Sequence, residues 1–129
     1  MKIERFEDLE IRQPARELHK CIFGITNKEP FSKDYRLRDQ IRASSGPVMD
    51  NIAEGFERDG NKEFIRFLSA AKGSCGECRS QICRAFDDDY ISEEMLRELL
   101  GKTTELSRKI YRFSEHLKHS EFKGLKYQK

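Results

Sequence analysis

The sequence has no tryptophan, three prolines and a hydrophobic fraction of 36%. These shortages weigh against a β-sandwich and against any large sheet buried on both faces. They suit several helices that each bury one stripe and leave the other faces in water. No apolar run approaches the ~20 residues that span a bilayer. The opening Met1-Lys2-Ile3-Glu4-Arg5-Phe6 lacks the apolar segment of a signal peptide. A cytoplasmic location with no membrane partner is therefore expected. Thiols stay reduced there, so Cys21, Cys75, Cys78 and Cys83 do not form a disulfide framework. A large excess of one charge sign is also missing, since the formal net charge is +2. Nothing in the composition marks a protein that coats nucleic acid indiscriminately.

Charge itself is abundant. Charged residues make up 37% of the 129 positions, enough length for one domain. Their distribution is uneven. Asp87, Asp88, Asp89, Glu93, Glu94, Glu98 and Glu105 face only Arg97 and Lys102 in the same stretch. Beyond them, Arg108, Lys109, Arg112, Lys118, Lys123, Lys126 and Lys129 outnumber Glu115 and Glu121. The end of the chain is basic.

Apolar periodicity predicts four helices, over residues 8–26, 33–57, 61–87 and 92–118. The first carries Ile11, Ala15, Leu18, Ile22 and Ile25, with Asp8 as its cap. Pro14 either kinks this helix or belongs to a first turn that begins near Gln13, and the kinked form is the reading adopted. The second, capped by Ser32 or Asp34, carries Leu37, Ile41, Ser44 or Ser45, Val48, Ile52 and Phe56. Gly46-Pro47 predicts a kink or short break, because the apolar period resumes in phase beyond it. The third carries Phe64, Leu68, Ala71, Cys75, Cys78, Ile82 and Ala85. The fourth, capped by Ser92, carries Leu96, Leu99, Thr103, Leu106, Ile110, Phe113 and Leu117. Seven-residue spacing and short connections favour side-by-side antiparallel packing, so an up-down-up-down four-helix bundle over residues 1–119 is expected, with 120–129 as a loose basic tail.

Chemistry-bearing patterns are sparse. Cys75-Gly-Glu-Cys78 has the spacing of half a zinc site or a redox pair. Both cysteines fall on the core stripe of the third helix, and no second such pair exists, so they are read as small core residues. Ser44 and Ser74 have no adjacent histidine base, and there is neither a glycine-rich phosphate loop nor an HExxH motif. No cofactor, metal, small-molecule substrate or catalytic residue is expected. Asn51, Glu54, Ser74 and Glu77 lie beside core positions on the second and third helices. If these helices fold back symmetrically about Asp59, Arg42 comes level with Cys75 and within reach of Glu77, so a half-buried Arg42–Glu77 pair is expected. Arg38, Arg42, Arg58, Lys62, Arg66 and Lys72 could line one phosphate-binding surface, or belong to an ordinary exterior laced with acids. Surplus apolar residues beside the stripes, including Phe23, Met49, Ile65, Phe67 and Tyr111, suit self-association.

Several blocks carry a resemblance. They are Ile3-Glu4-Arg5-Phe6-Glu7-Asp8-Leu9-Glu10-Ile11, Asn51-Ile52-Ala53-Glu54-Gly55-Phe56-Glu57-Arg58, Asn61-Lys62-Glu63-Phe64-Ile65-Arg66-Phe67-Leu68 and Ala71-Lys72-Gly73-Ser74-Cys75-Gly76-Glu77. Together they resemble the bacterial four-helix-bundle proteins also called 23S ribosomal RNA intervening-sequence proteins. Arg12 stands where that family usually has tryptophan. The resemblance implies a four-helix bundle, a homopentameric ring and no enzymatic activity. Accessory proteins of diversity-generating retroelements are similar and form basic pentameric barrels that bind nucleic acid. Asn51, Glu54, Gly55, Ser74 and Glu77 within these blocks are read as a structural polar or interface motif. The leading expectation is an oligomeric bundle that binds RNA or a ribonucleoprotein through basic helix faces. A protein–protein scaffold and a thiol or metal enzyme are the alternatives.

Overall fold

The computed structural model describes Phe6 and residues 9–119. Four helices make up most of it: α1 (Arg12–Thr26), α2 (Tyr35–Glu57), α3 (Gly60–Asp87) and α4 (Glu93–Lys118). A 3-10 turn, Phe31–Lys33, leads into α2, and no strand occurs among the described residues. Helix α2 packs on α3, α3 on α4, and α1 closes the bundle against α2 and, more lightly, α4. This is the up-down-up-down order that the short connections require.

The apolar stripes form the core. Every expected position of α3 is buried, from Phe64 to Ala85, as are Leu37, Ile41, Val48, Ile52 and Phe56 of α2. Ser44 and Ser45 are both buried, where the spacing asked for only one. Ser44 remains hydrogen-bonded in the interior, donating to Gln81 Oε1 at 2.5 Å. At one end of the bundle, Phe64 meets Phe56 and Phe113 edge-on, at centroid distances of 6.2 and 5.3 Å. That cluster joins α2, α3 and α4 near the α2–α3 turn. At the other end, Phe31 stacks on Tyr90 at 5.0 Å, and the Tyr90 hydroxyl donates to Asp34 Oδ2 at 2.8 Å. Asp34 also caps α2 by accepting from the Leu37 N–H. The Leu37 amide first, then Tyr90, holds the Asp34 carboxyl below its ordinary range.

Helix boundaries depart from expectation most at the start. Helix α1 begins at Arg12 instead of residue 8, and the expected Asp8 cap lies outside the described residues, as does the tail 120–129. Pro14 is the third residue of α1. The first turn has no intrahelical acceptors for its N–H groups, so proline costs no hydrogen bond there and needs no kink. Helix α2 begins at Tyr35, two residues later than expected, because Asp34 and not Ser32 supplies the cap. It runs through Pro47 without a break, and the Pro47 carbonyl accepts from Asn51 Nδ2 at 2.9 Å.

The expected Arg42–Glu77 pair does not form. Arg42 turns toward α1, where Nε donates to Thr26 Oγ1 and a terminal N–H donates to Asn27 Oδ1, each at 2.8 Å. Glu77 is exposed and lines the groove between α2 and α3 with Gln40. The symmetric fold-back assumption set the register wrongly. Gln40, which that assumption levels with Glu77, instead accepts from Arg84, about two helical turns further along α3.

At Gly55, α2 is packed tightly against α3. A Cβ there would sit 2.7 Å from Phe67 Cβ and 2.9 Å from Phe64 Cδ1. Gly73 and Gly76 in the middle of α3 have nothing within 4 Å of an added Cβ. We therefore expect Gly55→Ala to cost about 1–3 kcal/mol through overpacking. Gly73→Ala and Gly76→Ala should each stabilise by about 0.5–1 kcal/mol. Urea unfolding of the three variants checks both signs.

Candidate functional site

The six cations singled out from the sequence are not brought into one patch. Arg38 and Arg42 lie in the first half of α2. Arg58, Lys62 and Arg66 lie around the α2–α3 turn at the opposite end, and Lys72 lies further along α3. Most are engaged locally. Arg38 pairs with Asp39 at 2.9 Å and covers the Tyr35 ring, while Arg42 covers Phe23 at 4.3 Å. Arg58 pairs with Glu54 at 2.8 Å and Arg66 with Glu63 at 2.9 Å. Lys62 and Lys72 are exposed.

The motif Asn51, Glu54, Gly55, Ser74 and Glu77 is dispersed as well. Asn51 bonds within α2, Glu54 is held by Arg58, and Gly55 is packed under Phe67. Ser74 is half-buried and Glu77 exposed. No hydrogen bond or ion pair joins these five to one another among the described residues. Gly55 thus has a structural task, the close contact of α2 with α3.

A different cluster stands out. Lys72 and Arg79 of α3 and Arg108 and Arg112 of α4 line one open groove of about 360 Å³, together with Thr104, Ser107 and Tyr111. Among the described residues the lining holds four cations and no carboxylate. Arg79 is fixed across the helix pair by donating to Thr104 Oγ1. Glu105 approaches Arg112 at 3.8 Å, a loose contact between exposed side chains. By contrast, the groove between α2 and α3 mixes Glu77 and Arg84 with Gln40, Ser80 and Gln81. The α3–α4 groove joins two readings that stood apart in the sequence, the cations of the third helix and the basic end of the fourth. Antiparallel pairing brings them level, as the bond from Cys75 Sγ to the Thr103 carbonyl at 3.3 Å illustrates.

The patterns that suggested catalysis are enclosed. Cys75 and Cys78 are both fully buried, and burial pushes their thiols up to about 11 and about 12. Among the described residues no group of three or more His, Cys, Asp or Glu side chains could hold a metal ion. Ser45, a serine other than Ser44 and Ser74, does have a histidine partner. His19 Nδ1 lies 2.8 Å from Ser45 Oγ. Ser45 has no exposed surface, so the pair ties α1 to α2 and leaves no path for a substrate. No helix among the described residues is long and apolar enough to cross a membrane.

Comparison with known proteins agrees with the fold. The family described as 23S rRNA-intervening sequence protein matches residues 7–128. The chain belongs to this family. A crystal structure from Bacteroides thetaiotaomicron VPI-5482, of a protein with unknown function from the S23 ribosomal protein family, is similar with a TM-score of 0.75. The two share 18% identity over 81% of this chain and 98% of that one, a likeness of fold. No curated protein matches the chain. The fold is what the chain shares with that structure.

Thiol chemistry provides the check on this site. In the folded protein, exposed Cys83 should react quickly with an aromatic disulfide reagent at neutral pH, while Cys75 and Cys78 should react only on unfolding. Because both buried thiols are raised above their ordinary value of 9.0, their neutral form favours the fold. That stability is fully present below pH 9 and is lost as pH climbs toward 11 to 12. Alkaline denaturation monitored by circular dichroism should show the decline.

Proposed function

We propose that this protein is a cytoplasmic, non-enzymatic, self-associating bundle that binds RNA or a ribonucleoprotein by its phosphates. The observation that supports the reading is the α3–α4 groove, with Lys72, Arg79, Arg108 and Arg112 along it and no acid among the described residues of its lining. Guanidinium groups suit phosphate because their N–H donors match its oxygens in pairs. Arg79 is already held in position by Thr104, so less side-chain freedom is lost when a phosphate arrives. A scaffold that binds only proteins would be expected to intersperse acids with bases over every exposed face, and this groove does not.

Self-association is part of the same proposal. The pentamer is the form that family resemblance implies. Phe23 and Tyr35 remain exposed on the α1 and α2 side, away from the groove, and supply apolar surface for contact. Repeating the groove around a ring would raise the apparent affinity for a long RNA through effective concentration.

Gel-shift titration with ribosomal RNA fragments tests the reading. Affinity should fall steeply between about 50 and 200 mM salt. Replacing Arg108 and Arg112 together by alanine should reduce the slope of log K against log salt by about 1.4–1.8. Arg58→Ala with Arg66→Ala should leave it nearly unchanged, since both side chains are engaged by carboxylates. Absent or salt-insensitive binding would overturn the proposal. Light scattering should give a multiple of the monomer mass, and a monomer would remove the self-association.

A further inference from the structure

We infer that the α3–α4 groove takes unpaired RNA in preference to duplex, with the Tyr111 ring stacking on a base while the cations hold the flanking phosphates. This rests on the RNA reading above and specifies its ligand.

Three large apolar side chains stay exposed among the described residues: Phe23 at 47%, Tyr35 at 60% and Tyr111 at 53%. Two of them have a covered face. The Arg42 guanidinium lies over Phe23 at 4.3 Å, and that of Arg38 lies over Tyr35 at 4.9 Å. Tyr111 has neither a guanidinium nor a ring against it among the described residues. It is also the one of the three that lines the basic groove, beside Arg108 and Arg112. An open aromatic face among cations that can grip phosphates on either side is the arrangement that single-stranded nucleic acid fits. A base inside a duplex has both faces stacked on its neighbours and cannot reach such a ring.

The dimensions agree. The cations of α3, Lys72 and Arg79, lie about 10 Å apart along the helix. This suits a few nucleotides, where modules that grip double-stranded RNA by shape extend over about 16 base pairs. The hydroxyls of Thr104 and Ser107 line the same groove and can meet a 2′-hydroxyl or a base edge. Hydroxyl contacts of this kind are also what separate RNA from DNA at a site.

Fluorescence anisotropy tests the inference on the intact protein. The probes are a short mixed-sequence single-stranded RNA and the same strand annealed to its complement. The single strand should bind about tenfold more tightly. Tyr111→Ala should weaken its binding about tenfold or more, and Tyr111→Phe should retain it. The duplex affinity should barely respond to either change. Tyr111 is exposed, so both variants should fold, and thermal melting confirms that they do. Equal binding of the two RNAs, or no effect of Tyr111→Ala while the double alanine variant of Arg108 and Arg112 still weakens binding, overturns the stacking inference and leaves the phosphate reading standing. Binding of neither RNA overturns both.

Discussion

The close seating of α2 and α4 against α3 governs the rest of this molecule. The buried face of α3 is rich in small side chains, Ala71, Cys75, Cys78 and Ala85, between the larger Phe64, Leu68 and Ile82. Interaxial distance between packed helices follows the size of the residues at the contact. Small residues here allow main-chain atoms to come within reach of neighbours. Cys75 Sγ bonds the Thr103 carbonyl on α4, and Gly55 of α2 lies under Phe64 and Phe67. The thiols are therefore packing groups first. Their reluctance to ionise is a consequence of that packing.

The same seating determines the surface. When α3 and α4 lie close and antiparallel, side chains flanking the buried stripes meet across the seam. Arg79 then bonds Thr104, and Lys72 faces the part of α4 that carries Ser107, Arg108 and Tyr111. No loop insertion or extra element is needed to build the groove. It is the edge of a core contact, so it is rigid to the extent that the core is. A wider α3–α4 spacing would separate the cations and the tyrosine.

What was legible in the sequence follows from what is local. Period and phase are local, and they placed nearly all the core residues, including those beyond Pro47. Caps are local, and Ser92 accepts from the Met95 N–H as its position suggests. Register between helices is not local. The displaced pairing of Gln40 with Arg84 depends on the packing of Gly55 under Phe67 and on polar contacts such as Ser44 with Gln81, none of which apolar spacing encodes. The Asp34–Tyr90 bond joins residues 56 apart. The groove suffered the same limit. Lys72 was visible in one group of cations and Arg108 and Arg112 in another, and only the antiparallel seam puts them together. Same-helix neutralisation was readable, since Glu54–Arg58 and Glu63–Arg66 have the spacings at which helical side chains meet.

The small net charge does not weaken the groove, because the acids are in the wrong place to cancel it. The run Asp87, Asp88 and Asp89 and the pair Glu93 and Glu94 lie at the α3–α4 turn. From Glu94 to Arg108 is about 20 Å along α4. Exposed charges interact over a screening length of about 8 Å at physiological salt, so those carboxylates contribute little at Arg108 and less at Arg112. Glu105 is near enough to matter, and it approaches Arg112 at 3.8 Å with both side chains exposed. The local field at the groove is set by Lys72, Arg79, Arg108 and Arg112 over the low-dielectric flank of two packed helices.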